Sequence, residues 1–589
     1  MKTRLSILTV SIIILLGIGF NSCELEEYNP SGSTADAIWS TPEGFQTLVN
    51  AAYFKQRNWY GKVDGPFMSE VGTDLWFNKG KDSYHRQTSK YEGLTPLAGN
   101  FNIKQWPSWY EGLNICNAGI GRINDANFTS EVTKHQKEGE LRFLRAFTLW
   151  HIVETWGGVY LSTEETTEPI LSATRSSVRD FYMVIIDDLE KAVGYLPNQS
   201  FYGGEYSRAS KKSAVGLLAR MYITWAYYCE GEEATGYFTK ARDMANLLIN
   251  NPTDYEVELY DNPDYIWDPL NNRGNINKEA LYVISNSTTN TTLNYDGGHK
   301  LPCFFLTAYS GKPGLVTSVE YGNHEERRFM PTLYLLDLFD ETIDARYHAS
   351  FQEVWLCNDT TNVPRWTKQE LLDKSMDTNL VGKLKFTIGD TALVITKKSI
   401  SKEKGHLYTI IDRDSIYNAS TDHTIRDGQD YPALIKFDDP LTRETPDVRL
   451  STSDIIIMRL AEMYLISAEA SMHLNHKDDA YATLLELAKH RAYGGEGALL
   501  LEAYGVSSGN DIDLNFILDE RARELCGEHY RWFDLKRPFV QDPTAWVNYI
   551  KQRNPDITLI QEHHIIRPVP QEHLDPLKNS AEFGQNPGY

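Results

Sequence analysis

The segment 213–226, SAVGLLARMYITWA, sets the small residues Ala214, Gly216 and Ala219 beside large ones. Small-against-large spacing lets two helices approach closely. Segment 454–470, DIIIMRLAEMYLISAEA, places Ile456, Leu460, Met463, Tyr464 and Ser467 on one helical face and Arg459, Glu462 and Glu469 on another. Each segment leads into a second helical pattern, carrying Ala241 and Ala245 or Ala480 and Leu484. Recurring pairs of this kind are the pattern of tetratricopeptide units, here elongated and degenerate. Other helical patterns fall at 41–55, 106–123, 131–155, 177–195, 476–491 and 512–536, with Thr41-Pro42-Glu43 a good helix start. The expected class is therefore mainly all-α, with tetratricopeptide-like helix pairs. These would support an irregular, loop-rich region at 255–450, where periodicity fades and short strand-like runs appear at Ala280–Ile284 and 392–395. Long irregular segments in compact domains usually carry function.

The N-terminus fixes where such a body would live. Lys2 and Arg4 precede an uncharged, largely apolar run at 5–20, then Asn21, Ser22 and Cys23. This is the layout of a secretory signal, and the run is too short to span a bilayer comfortably. A cysteine at the cut suggests a lipoprotein signal over 1–22 with Cys23 as the acylated first residue. Residues 23–40 then read as a polar tether, and 41–589 as one domain with parts at 41–254, 255–450 and 451–589. No apolar run long enough for a membrane span follows the signal.

Formal net charge is −22, and loss of Lys2 and Arg4 with the signal makes the mature chain more acidic still. Such a surface argues against nucleic acid as a partner and against electrostatic docking on anionic lipid. Beyond Cys23, an odd set of cysteines remains at 116, 229, 303, 357 and 526. With no CxxC pair or zinc spacing they form neither a metal site nor a disulfide framework.

No GxSxG, HExxH, P-loop or GxGxxG junction is present. No cofactor is expected, and no metal, since His563-His564 and Asp511-Ile512-Asp513 stand isolated. A pair of glycosidase carboxylates would leave no spacing signature, so a surface hydrolase or lyase stays open as an alternative, as does a scaffold that binds only protein. Segment 520–537, ERARELCGEHYRWFDLKR, carries Glu520, Arg523 and Glu524 at helical spacing, with Trp532 and Phe533 as packing anchors. It reads as an ion-paired helix locked to its neighbours.

That segment resembles the C-terminal helix of the SusD/RagB family of outer-membrane glycan-binding lipoproteins. LRFLRAFTLWHIVETWGGVYL (141–161) is similar to the family's long helix and Gly-containing turn, with Tyr160 where proline is usual. SAVGLLARMYITWA and RLAEMYLISAEA look like its two tetratricopeptide signatures, and RPVPQEH (567–573) and QNPGY (585–589) like its closing elements. The resemblance implies a helical body of about four tetratricopeptide-like helix pairs and a non-catalytic surface receptor, lipid-anchored in the outer membrane. It would capture an oligosaccharide and deliver it to a TonB-dependent transporter of the SusC type. It supplies no site residues.

Those must come from chemistry. Sugars present flat C–H faces and a rim of hydroxyls, suited to exposed aromatics with short polar side chains beside them. Loop 72–86, GTDLWFNKGKDSYHR, offers Asp74, Trp76, Phe77, Asn78, Tyr84, His85 and Arg86. Segment 294–312, NYDGGHKLPCFFLTAYSGK, offers Tyr295, Asp296, His299, Tyr309 and Lys312, with Phe304 and Phe305 expected in the core. Trp267 and Trp355 are weaker candidates. Lys79, Lys81, Arg86 and Lys312 hint at an acidic glycan.

Overall fold

The computed structural model describes residues 34–589 apart from 79, 81–84, 272, 274, 288, 290–293, 323–325, 401–404, 427 and 448–449, and omits the side chains of Asn100 and Tyr295. About 48% of the described residues are helical. The longer helices are α1 (Pro42–Gln56), α2 (Asn100–Arg122), α3 (Glu131–Trp156), α4 (Val178–Tyr195), α5 (Lys211–Ala226), α6 (Gly231–Asn250), α7 (Leu460–His473), α8 (Lys477–Lys489) and α9 (Leu514–Leu525). Nine short strands are described. They are β1 (Trp76–Phe77), β2 (Ala280–Ile284), β3 (Met330–Pro331), β4 (Phe351–Gln352), β5 (Val354–Leu356), β6 (Thr391–Ile395), β7 (Thr409–Ile411), β8 (Ala433–Leu434) and β9 (Ile455–Arg459). Pairs β1–β3, β2–β9 and β4–β8 are antiparallel, and β5–β6–β7 form a small mixed sheet.

Local sequence sets the helix starts. Thr41 accepts from the Gly44 amide with Pro42 as first helical residue, and Ser177 forms a reciprocal capping box with Asp180 at α4. From α1 to α6 the helices pack in chain order, each on the next or next but one. Helix α7 then closes on α5 and α6, and α8 and α9 close on α7. The small residues do what their size allows: Ala219, Ala241, Ala461 and Ala480 are all fully buried. One apolar core runs from Phe45 to Phe583. Between residues 280 and 434 lie seven of the nine strands, and no helix there exceeds six residues. Among the described residues no helix is long and apolar enough to cross a membrane.

Three expectations are corrected. Residues 455–459, read as the start of a helix, form β9, because the Ile455-Ile456-Ile457 run pairs with β2 and the helix begins only at Leu460. The helix expected over 512–536 breaks after Leu525, where Gly527 (φ 82°) and His529 (φ 68°) turn the chain in the left-handed region. Ala35–Trp39, inside the expected tether, is a short helix capped by Thr34.

Segment 520–537 is scaffold, as its pattern suggested. Glu524 meets three guanidiniums: Arg346 at 3.1 Å, Arg491 at 3.0 Å, and Arg459. Around them Asp344, Glu279, Glu520 and Glu528 pair with the same arginines and with Arg523 and Lys436. Five cations and five carboxylates, each at most 4% exposed, thus form one electrically balanced cluster. It ties α9 to the 344–346 turn, β9 and the loop-rich region.

Candidate functional site

Both sequence-predicted segments meet this scaffold, and the structure brings them together. The Trp76 indole stands edge-on to Phe305, ring centroids 5.0 Å apart at 73°. Phe305 in turn contacts Phe329 and Phe437. What converges is their buried sides. Trp76 is fully buried, Phe77 is 1% exposed, and neither presents a ring face to solvent. Asp74 is no sugar acceptor either: Arg531 donates to both its oxygens, at 2.8 and 2.6 Å. Asn78 and His85 are buried, with His85 Nδ1 against the Asn78 carbonyl and its ring edge-on to Phe77. At Trp76 and Phe77 the chain lacks helical periodicity because β1 pairs with β3, not because water surrounds it.

In the second segment His299 and Tyr309 are corrected likewise. His299 is 2% exposed and its Nε2 lies 3.0 Å from Ser453 Oγ. Burial, then the positive charge of Lys62, pull its pKa down to about 3, so the ring is neutral. Tyr309 is buried and donates to the Gly322 carbonyl at 2.6 Å. Trp355 is buried, and Trp267 is half-buried beneath Lys436 and Arg459. Phe304 and Phe305 lie in the core as expected. Cys23, Lys79, Lys81, Tyr84 and the Tyr295 side chain fall outside the described residues.

Arg86, Asp296 and Lys312 keep access to water. Arg86 and Asp296 are exposed, Asp296 with φ 50° in the left-handed region. Lys312 is partly exposed and pairs with Asp430 at 3.0 Å. Around the second segment the 57–62 turn is stitched on: Lys62 donates to the Gly298 carbonyl, and the Lys300 amide to Gly61 at 2.9 Å. Burial, then neighbouring Lys300 and Arg57, lower the Lys62 pKa to about 8 against the pull of Asp296.

That turn borders a polar cavity of about 500 Å³. Its walls are the end of α1, the 204–208 loop and the end of β2. Phe54, 40% exposed, offers an aromatic face. Arg57 donates to the Ser285 carbonyl at 2.6 Å. Arg208 is held by Glu140 at 2.9 Å and Asn50 at 3.0 Å. Gln56 accepts from the Tyr282 hydroxyl at 2.7 Å, while its buried Nε2 has no hydrogen-bond partner. The cavity therefore combines one aromatic surface with several fixed hydrogen-bonding groups of both signs. Two residues beyond Ser285, the Asn294 side chain bonds both backbone groups of Ser287 at 2.7 and 2.9 Å. The cavity and the second predicted segment thus adjoin.

Sequence reasoning missed these residues. Asn50, Phe54, Gln56 and Arg57 sit on a helix that reads as scaffold, and nothing in their spacing marks the loop and strand that complete the cavity. A second cavity, of about 440 Å³ and walled by aromatics, opens beside α2.

A helical scaffold carrying a loop-rich third, with ligand-sized cavities along it, is the class of protein these features define. A family model described as the SusD family matches residues 322–589, and one described as starch-binding associating with outer membrane matches 55–223. SusD-like protein P2 of Formosa agariphila is 23% identical over 98% of this chain and 99% of its own length. Among solved structures, a laminarin-binding SusD-like protein superposes with TM-score 0.63 at 19% identity, over 93% of this chain and all of its own. A SusD homolog from Bacteroides thetaiotaomicron superposes with TM-score 0.67 at 18% identity, over 95% of this chain and all of its own. The chain belongs to the SusD/RagB family.

Proposed function

We propose that this chain is a non-catalytic receptor that captures an oligosaccharide at the cell surface and passes it to a TonB-dependent outer-membrane transporter of the SusC type. The glycan sits where the 294–312 segment adjoins the polar cavity, with Asp296, beside Lys62, as an outlying polar contact. The carrying observation is that cavity. Phe54 supplies a flat apolar surface, and Arg57, Asn50, Glu205 and Gln56 supply hydrogen-bonding groups around it, the combination a pyranose requires. The laminarin-binding neighbour, and two others titled surface glycan-binding protein A, support the reading.

A glycan array probed with the mature chain is the test. We expect at least one polysaccharide class to be retained, and Arg57→Ala to weaken that retention tenfold or more without altering the melting temperature. An empty array would sink the receptor reading, whereas sustained release of reducing ends from the retained glycan would make the protein an enzyme.

The outer-membrane location rests on Cys23 as lipid attachment point. Two or more acyl chains anchor durably where one does not, and the acidic body then needs no electrostatic attraction to lipid. Cys23→Ala should move the protein from the membrane pellet to the soluble fraction; a variant still needing detergent for extraction would count against the anchor.

A further inference from the structure

The second cavity lies between the middle of α2, the extended chain after α3 and the C-terminal segment. Trp106, Tyr110, Tyr160, His573 and Phe583 form its walls. Their rings are fixed relative to one another. Trp106 lies 4.9 Å from Tyr110 at 35° and 5.7 Å from His573 at 19°. Pro107 inside α2 leaves the Ile103 carbonyl without its helical donor.

The backbone behind the walls is clamped. Tyr110 donates to the Tyr160 carbonyl at 2.7 Å. Asn114 grips both backbone groups of Thr166, at 2.6 and 3.2 Å. The Asn579 side chain does the same for Ala173, at 3.1 and 2.8 Å. A cavity built this way keeps its shape when empty, which lowers the ordering cost of binding.

The geometry points to a second carbohydrate subsite in this cavity, one that takes a pyranose of a neutral glycan. The claim rests on the receptor reading above and adds a site to it. Flat ring walls suit the C–H faces of a sugar. Polar residues stand among them: Tyr160, Thr166 and Glu111. His573 Nε2, buried, makes no hydrogen bond within the protein, although Glu572 Oε1 stands 3.5 Å away. An unsatisfied ring nitrogen is costly against a purely apolar ligand and is relieved by a hydroxyl. The one charged group in the lining, Glu111, is an acid engaged by Lys55, so an anionic sugar gains nothing there. Tyr160, which stands where the family-like turn usually carries proline, makes this wall a feature of this chain.

Isothermal titration of the mature chain with maltohexaose, laminarihexaose, cellohexaose and xylohexaose tests the assignment. For a probe that binds, Tyr160→Ala should abolish one of two binding events or weaken overall affinity tenfold or more. His573→Phe, which keeps the stack on Trp106 but removes the ring nitrogens, should weaken the same event several-fold at an unchanged melting temperature. Wild-type stoichiometry and affinity in both variants would overturn the subsite while leaving the receptor standing. If Tyr160→Ala does not fold, His573→Phe alone decides. No binding of any probe by the wild type, together with an empty glycan array, would remove the receptor reading and this site together.

Discussion

Replacing Glu524 by glutamine should lower the stability of the fold by about 3–5 kcal/mol at neutral pH, the typical cost of breaking a buried ion pair from one side. The substitution keeps the shape and removes one of the five carboxylates in the balanced cluster, so a net positive charge is left buried among Arg346, Arg459 and Arg491. Burial alone would raise the Glu524 pKa, but Arg491, Arg459 and Arg346 hold it well below the usual carboxylate range. A carboxyl depressed in the folded state stabilises above its unfolded pKa, about 4.3, and loses that contribution as pH falls toward the folded value. The gap between wild type and variant should therefore be full at pH 7 and shrink as the pH drops below about 4. Urea unfolding at both pH values measures it. Coincident midpoints at pH 7 would show that the cluster contributes nothing net.

That cluster shows what sequence can reveal and what it cannot. Glu520, Arg523 and Glu524 announce a helix by their spacing, and Trp532 and Phe533 announce packing. The partners Arg346, Arg459 and Arg491 lie far away in the chain, and no periodicity links them to α9. The helical blocks were legible because each carries its own period and its own caps, as at Thr41 and Ser177. Residues 455–459 were not, because a short apolar run fits a strand as well as a buried helix, and the strand β2 that decides the matter precedes it by some 170 residues.

The site was harder still. An aromatic in a polar loop is exposed only if nothing packs over it, and that depends on segments distant in the chain. Asp74 looked like a hydrogen-bond acceptor for sugar until Arg531, 457 residues on, claimed it. Conversely, Trp106 and Tyr110 fall inside the helical pattern at 106–123, where nothing in their spacing marks a site. Only the fold of the 569–583 segment back onto α2 turns them into cavity walls.

The same contrast makes Trp76 the sharpest single test. Trp76→Ala should cost about 3–5 kcal/mol, the range for deleting a large buried aromatic. The side chain is fully buried, its ring is seated against Phe305, and its backbone pairs with Pro331. Glycan retention would then fall only as far as the fold does. Trp76→Phe separates packing from recognition. It shrinks the ring, but it also removes an indole N–H that is buried without a hydrogen-bond partner, and the two changes oppose each other. The phenylalanine variant should therefore melt within a few degrees of wild type and hold glycan with wild-type affinity, whereas a sugar-stacking platform at this position predicts retained stability with affinity lost. Parallel melting curves and affinity electrophoresis on the two variants decide between burial and a platform. Lost retention at an unchanged melting temperature in the alanine variant would return Trp76 to the surface and reverse the correction drawn from its burial.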